Sequence, residues 1–358
     1  MLSQPFSVSF TTGEGLPITI ETGKLARQAD GSVTIRQGNC IILATVVANT
    51  EAKEGQEFFP LSVDYQEKFA SAGRIPGSFF KRESRLNDYE VLTSRLIDRA
   101  LRPLFPEDYF CDVQVLVSLI SSDSEIMPDA LAGLAASAAL AVSDIPIKEV
   151  ISEVRIAKLN GKYIVNPTRS ELEASSLEFL IAATDKNLLM VEGEANECSE
   201  DELIGALQIA HDAIRIQIKA QLELREKVGI KEKRDYKKPE TNEELNAKVH
   251  AFAKDRIYQI SKAGSTKHQR SEAFDQLKKD LIESLGSEIS DIDKKLAKKY
   301  YADLQWEVVR NMIVDERIRL DGRKLDQIRP LSMETDPLPT PHGSALFTRG
   351  ETQSLTTV

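Results

Sequence analysis

The chain has 358 residues, 41% hydrophobic and 28% charged, with a formal net charge of −10, an ordinary soluble composition with room for two or three domains. No run of about 18 apolar residues occurs, so no transmembrane helix is expected, and MLSQPFSVSF has neither a basic region nor a long apolar core, so no signal peptide is expected either. Cys40, Cys111 and Cys198 are far apart, and His211, His250, His268 and His342 do not cluster with them; this argues against a zinc site and fits buried thiols in a reducing cytosol.

Residues 6 to 47 read as strands joined by tight turns. Phe6, Val8 and Phe10 alternate; Leu16 to Ile20 and Ser32 to Ile35 follow, set off by Gly15, Gly23 and Gly31; CIILATVVA, from Cys40, is a buried strand. The glycines lack Walker or GxGxxG spacing, so no phosphate loop is read here. Phe58 to Tyr65 gives another apolar strand, with Pro60 inside it.

Ser71 to Pro106, SAGRIPGSFFKRESRLNDYEVLTSRLIDRALRPLFP, is different in kind. From Lys68 to Arg102 there are eight Lys/Arg and four acids, a local balance of 8 − 4 = +4 on an acidic chain. Such an island points to an anionic partner held at one place. Gly73, Pro76 and Gly77 make GRIPGSFFKR a loop. Phe79 and Phe80 stand beside Lys81 and Arg82, and single-stranded nucleic acid stacks its bases on rings while Lys and Arg neutralise its phosphates. From Tyr89 a helix is expected, with an apolar stripe of Val91, Leu92, Leu96 and Ala100 and with Arg95, Arg99 and Arg102 at helical spacing. The same residues also suit core rings and surface ion pairs, and the residues alone leave both readings open.

Val113 to Ile120 is the next buried strand, and Pro128 and Asp129 start an Ala-rich helix. Ile151 to Leu159, Lys162 to Val165, Phe179 to Ala183 and Leu188 to Val191 read as short strands and hairpins. Ser199 and Glu202 form a capping box for a helix carrying Leu203, Leu207, Ala210, Ile214, Ile218 and Leu222 on one face. Residues 1–230 are thus expected as one α+β domain. Residues 231–246 are charged and aperiodic and read as a linker. Residues 247–315 carry three amphipathic stripes, Val249 to Ile260, Phe274 to Leu285 and Ile292 to Met312, and read as a small all-α bundle whose charged outer faces read as solvated, with nucleic-acid binding as the alternative reading of them.

From residue 316 the pattern turns strand-like in RIRLDGRKLDQIRPL, and the sequence repeats. GSVTIRQGNCIILATV from Gly31 and GSALFTRGETQSLTTV from Gly343 share six of sixteen positions without a gap, at an offset of 343 − 31 = 312. The shared glycines argue for a duplicated domain. The second copy reaches only its first long strand, so residues 316–358 are expected as the incomplete start of a second domain.

GRIPGSFFKRE, SRLIDRALRPLFPE and the tail HGSALFTRGETQSLTTV resemble the bacterial polynucleotide phosphorylase family over essentially the whole chain. The resemblance implies a first RNase PH-like domain (ribosomal protein S5 domain 2-like), a helical domain and the start of a second RNase PH-like domain. It implies a cytoplasmic 3′→5′ exoribonuclease of mRNA turnover that uses inorganic phosphate and magnesium, releases nucleoside diphosphates reversibly and assembles as a homotrimer. Single-stranded RNA is the implied partner, other RNA-degradation proteins are further implied partners, and no membrane is involved. It places Phe79, Phe80, Lys81 and Arg82 at a central constriction, with Arg85, Arg95 and Arg99 near the RNA path. The family usually has two arginines after the paired Phe; Lys81 keeps the charge but loses the planar, bidentate fork. The family's catalytic copy is the second domain. In the first, Asp129 stands where phosphate would sit and reads as a helix cap. Glu178 can take one carboxylate position, but Leu172 falls where an Asp is needed, between Glu171 and Glu173, and Leu180 falls where a Lys is needed. No catalytic residue and no metal ligand is therefore expected here, and magnesium is expected in the missing second domain. The competing readings are a non-catalytic RNA-binding or assembly module and a single-domain, tRNA-trimming RNase PH; the internal repeat and the helical insert disfavour the last.

Overall fold

The computed structural model describes residues 5–13, 15–53, 56, 58–77, 79–83, 85–229, 232–286 and 289–358. The chain divides into two compact units, Met1–Pro239 and Glu240–Val358.

The first unit opens with β1 (Phe6–Phe10), β2 (Ile18–Thr22), β3 (Gly31–Gln37), β4 (Cys40–Ala48) and β5 (Leu61–Glu67), followed by α1 (Asp88–Leu101) and β6 (Val113–Ser121). These strands form one sheet in the order β1-β2-β3-β4-β6-β5. Neighbours run antiparallel except β5 and β6, which are parallel, so the chain needs a crossover between them; the basic loop and α1 supply it. The strand expected from Phe58 starts only after Pro60, which has no N–H to give to a ladder. Next, α2 (Pro128–Val142) lies on the sheet and is buried at every one of its 15 residues. Its alanines allow close approach, and the sheet answers with a glycine: a Cβ on Gly31 would stand 2.1 Å from the carbonyl oxygen of Ala139.

The second sheet of this unit contains β7 (Ser152–Leu159), β8 (Lys162–Val165), then, after the short helix α3 (Arg169–Glu173), β9 (Leu177–Ala183) and β10 (Leu188–Ala195), in the order β10-β9-β7-β8. Across it lies α4 (Glu200–Val228), opened by the expected capping box of Ser199 and Glu202. The expected α+β fold is therefore observed as two sheets packed with helices around two apolar clusters, the larger of which also takes in Leu180, Ala182 and Met190 of the second sheet.

Residues 232–239, read as linker, are tied to the first unit. Arg234 pairs with Asp144 and, at 3.1 Å, with Asp30. Lys233 donates to the carbonyls of Leu140 and Ser143. Tyr236 stands edge-on to Tyr109 and donates its hydroxyl to Asp108.

In the second unit α5 (Glu243–Lys262), α6 (Lys267–Ser284) and α7 (Asp291–Glu316) pack around Val249, Ala253, Ile257, Phe274, Leu281 and Leu304. The helix starts are fixed by Asn242, Thr266 and Ser290, whose side chains each accept a backbone N–H. In α7 the buried stripe runs through Ala297, Tyr301, Leu304, Val308 and Met312. The expected step of four from Ile292 drifts off a 3.6-residue turn, and Ile292 is left outside. RIRLDGRKL is not a strand: Arg317 caps α7 in the left-handed region, and a single bridge links Ile318 to Lys324.

The last element is a sheet of β11 (Leu331–Thr335), β12 (Ser344–Arg349) and β13 (Thr352–Thr357). Its hairpin repeats the earlier one pair for pair. Ser32 faces Thr45 and Gln37 faces Cys40; 312 residues on, Ser344 faces Thr357 and Arg349 faces Thr352. The shared turn glycines, Gly38 and Gly350, have φ of 56° and 62°, where a side chain would be strained. β11 and β13 are exposed along their whole length.

Candidate nucleic-acid interface

The basic loop leaves β5 through a turn of 3₁₀ helix, Phe69–Ala72, and Gly73, which is left-handed. Glu83 reaches back to accept the Phe69 N–H at 3.1 Å and closes the base of the loop. Beyond it Phe79 and Phe80 are 93% and 77% exposed, their rings edge-to-face with centroids 5.5 Å apart. The core reading of these rings is thereby excluded within this chain. Lys81 follows at φ 50°, a conformation that costs a non-glycine residue about 1–2 kcal/mol. Lys81, Arg82 and Arg85 are exposed. Ser78 and Ser84 lie outside the described residues.

The rest of the cationic island is carried by α1, and β5 determines which face of α1 turns inward. β5 is an edge strand with unpaired N–H groups, and α1 meets them with polar side chains. Glu90 accepts from Glu67 N–H and Ser94 from Tyr65 N–H, each at 2.8 Å. Glu90 also completes a capping box with Asn87. The buried face is accordingly Glu90, Thr93, Ser94, Ile97, Ala100 and Leu101. The expected stripe is corrected on this point: Val91 and Leu92 are exposed, and only its Ala100 end is buried. On the outer face Arg99 is bound to Glu192 of β10. Arg102 pairs with Asp98 and donates to the carbonyls of Phe59 and Leu61. Arg95 is exposed and makes no salt bridge among the described residues. It lines a groove of about 590 Å³ with Leu61, Val63, Leu92 and Arg99.

The positions compared with a phosphorolytic site are filled differently. The cap residue of α2 is Met127, with no side-chain cap, so the reading of Asp129 as the cap is corrected. Asp129 is buried in the first turn; it accepts from Ala130 N–H at 2.8 Å and from the guanidinium of Arg155 on β7. The other arm of Arg155 reaches Glu178 at 2.7 Å. Glu171 spends its carboxylate on the Thr168 cap of α3, and Leu180 is buried in the main core. One guanidinium thus answers Asp129 and Glu178, and the two carboxylates do not fit a magnesium site. Sequence reasoning missed Arg155 and its neighbour Glu153. Glu153 is 1% exposed and neither carboxylate oxygen has a hydrogen-bond partner. Burial first, then the nearby Asp129, pushes its carboxyl well above the usual range. Gly133 of α2 leaves it room: a Cβ there would lie 1.9 Å from Glu153 Oε2. The alternation in SEVRIAKL was the available signal, since it puts residues 153 and 155 on one face.

Comparison with known proteins gives three family models along the chain. The model of the 3′ exoribonuclease family, domain 1, matches residues 14–146, and that of the 3′ exoribonuclease family, domain 2, matches residues 149–213. The model described as polyribonucleotide nucleotidyltransferase, RNA binding domain, matches residues 244–324. Polyribonucleotide nucleotidyltransferase of Parabacteroides distasonis is 52% identical over 99% of this chain and 48% of its own length. The enzyme of Cytophaga hutchinsonii is 53% identical over 98% and 49%. That of Christiangramia forsetii is 49% identical over 100% and 48%. The chain spans about half the length of the curated relatives it matches.

Proposed function

Since the chain belongs to the polyribonucleotide nucleotidyltransferase family, we propose that it is the RNA-guiding and ring-assembling part of a 3′→5′ exoribonuclease of the cytoplasm. The complete enzyme attacks the 3′-terminal phosphodiester of RNA with inorganic phosphate, releases nucleoside diphosphates and runs in reverse as a polymerase. Magnesium supplies charge neutralisation at that reaction; no carboxylate pair described in this chain suits it. The observation that carries the reading is the exposed Phe79–Phe80 pair beside Lys81 and Arg82. A threaded strand stacks bases on the rings and sets phosphates against the cations, contacts that hold any sequence and let it slide. In a homotrimer three such loops surround one opening, and Arg85, Arg95 and Arg99 extend the basic path; Arg99 does so only by leaving Glu192. The second reading, a non-catalytic RNA-binding module, describes this portion equally, because Arg155 holds the carboxylates that catalysis would need.

The test separates stacking from charge. On the assembled protein, Phe80→Ala should weaken single-stranded RNA binding by roughly 1–3 kcal/mol with little change of salt slope. Lys81→Ala and Arg82→Ala should each lower the slope by up to about 0.7. A ring already 77% exposed has little core to lose, so the melting temperature should hold. Unchanged RNA affinity in all three variants would sink the guiding role.

A further inference from the structure

Outside the loop, one more surface combines an open ring with cations. On α7 the side chains of Lys295, Lys299, Trp306 and Arg310 are all exposed. By helix geometry these positions lie within about 60° of one another around the axis and along about 22 Å of it. Trp306 is 68% exposed and is the chain's single tryptophan. The Arg310 guanidinium stands 5.8 Å from the indole centroid. The ring borders a groove of about 570 Å³ lined by Ala302, Gln305, Val309, Ile313 and Leu320. The bundle does not require this stripe, because α7 is anchored from its other side by Tyr301, Leu304, Val308 and Met312.

We propose that this stripe of α7 is a binding site for single-stranded RNA. A base stacks on Trp306 against Arg310, and Lys295 and Lys299 meet the neighbouring phosphates. The inference rests on the RNA-guiding reading above and adds a contact on the helical unit. Chemistry favours RNA over a protein partner. Cations flank the ring on both sides along the helix, in a chain whose net charge is −10. Lysines are depleted from protein interfaces because they are costly to desolvate, whereas on a phosphate backbone they release counterions. An indole already paired with a guanidinium is a stacking platform for any base. The family model described as an RNA binding domain matches residues 244–324, which include all four side chains.

A single tryptophan makes the test specific. The whole chain is titrated with unlabelled oligoadenylate while tryptophan emission is followed, and with the same oligonucleotide carrying a dye while anisotropy is followed. Emission should change saturably as RNA binds. Trp306→Ala should weaken binding at least about fivefold, Trp306→Phe should restore most of it, and Lys295→Ala and Lys299→Ala should each lower the salt slope by up to about 0.7. RNA binding with unchanged emission overturns the inference and leaves the loop reading standing. Emission that responds while the loop variants bind normally does the reverse. No RNA binding by anisotropy overturns both. Unchanged RNA affinity in Trp306→Ala with a smaller oligomer would mean that the ring meets another copy of the chain, and would overturn the inference as well.

Discussion

Replacing Glu153 by Gln should flatten the pH dependence of the first unit's stability. The side chain is 1% exposed and makes no hydrogen bond. Burial and Asp129 of α2 raise its proton affinity, while Arg155 of β7 and Arg99 of α1 lower it; burial dominates, and the carboxyl lies well above 4.5. The folded chain therefore keeps a proton that the unfolded chain releases. The associated stability is complete below about pH 4.5 and is lost as pH rises towards the folded value. Within that window the unfolding free energy falls by up to about 1.4 kcal/mol per pH unit. For a unit of this size that is about 3–6 °C per unit of pH. Gln keeps the shape and cannot ionise. Thermal unfolding of both proteins, followed by circular dichroism from about pH 5 to 8, gives the comparison. The variant's advantage should widen steadily as pH rises. A difference that stays constant across the range refutes the assignment of a protonated, unpaired carboxyl.

Two further outcomes follow from the packing and from the carboxylate pairs. Gly31→Ala should destabilise by about 1–3 kcal/mol or more, because its Cβ would meet a backbone carbonyl; the matching Gly343→Ala, whose Cβ would lie 3.9 Å from Val358, should leave the melting temperature unchanged. Incubated with a 3′-unpaired RNA, phosphate and magnesium, this chain should release no nucleoside diphosphate, and release above a mock preparation would overturn the claim that Arg155 has closed the site.

Much of the fold was legible because the signals are local. Alternation and turn glycines gave the hairpins, and Ser199 with Glu202 gave the start of α4. The basic loop was legible for the same reason: glycines and a proline expel it from regular structure, and adjacent rings and cations need no partner to be recognised. What the sequence hid was long-range. The spacing on α1 was helical as expected, but the buried face is chosen by the bare edge of β5, which draws in Glu90 and Ser94 and turns Leu92 outward. The segment at 232–239 looked like a linker because its charges have no local partner; Arg234 finds Asp30 and Asp144, each at least 90 residues away. The alternation of SEVRIAKL puts Arg155 on one face with Glu153, but its partners depend on how β7 lies beneath α2.

That hidden arginine bears on the proposal that this unit meets RNA through a loop rather than through a helix start. The start of a helix attracts anions through its free N–H groups. At α2 two of those groups are absent or occupied. Pro128 has no N–H to give, and the N–H of Ala130 is taken by Asp129. The carboxylate thus sits where an external anion would bind, and Arg155 neutralises it from behind while also taking Glu178. Removing either acid would leave the partly buried Arg155 with one carboxylate partner in place of two. With that pocket closed from within, the cations this unit leaves in solvent for an RNA strand include Lys81, Arg82 and Arg95. The paired rings stand beside the first two of these, and the proposed recognition without cleavage rests on where the ion pairs are placed.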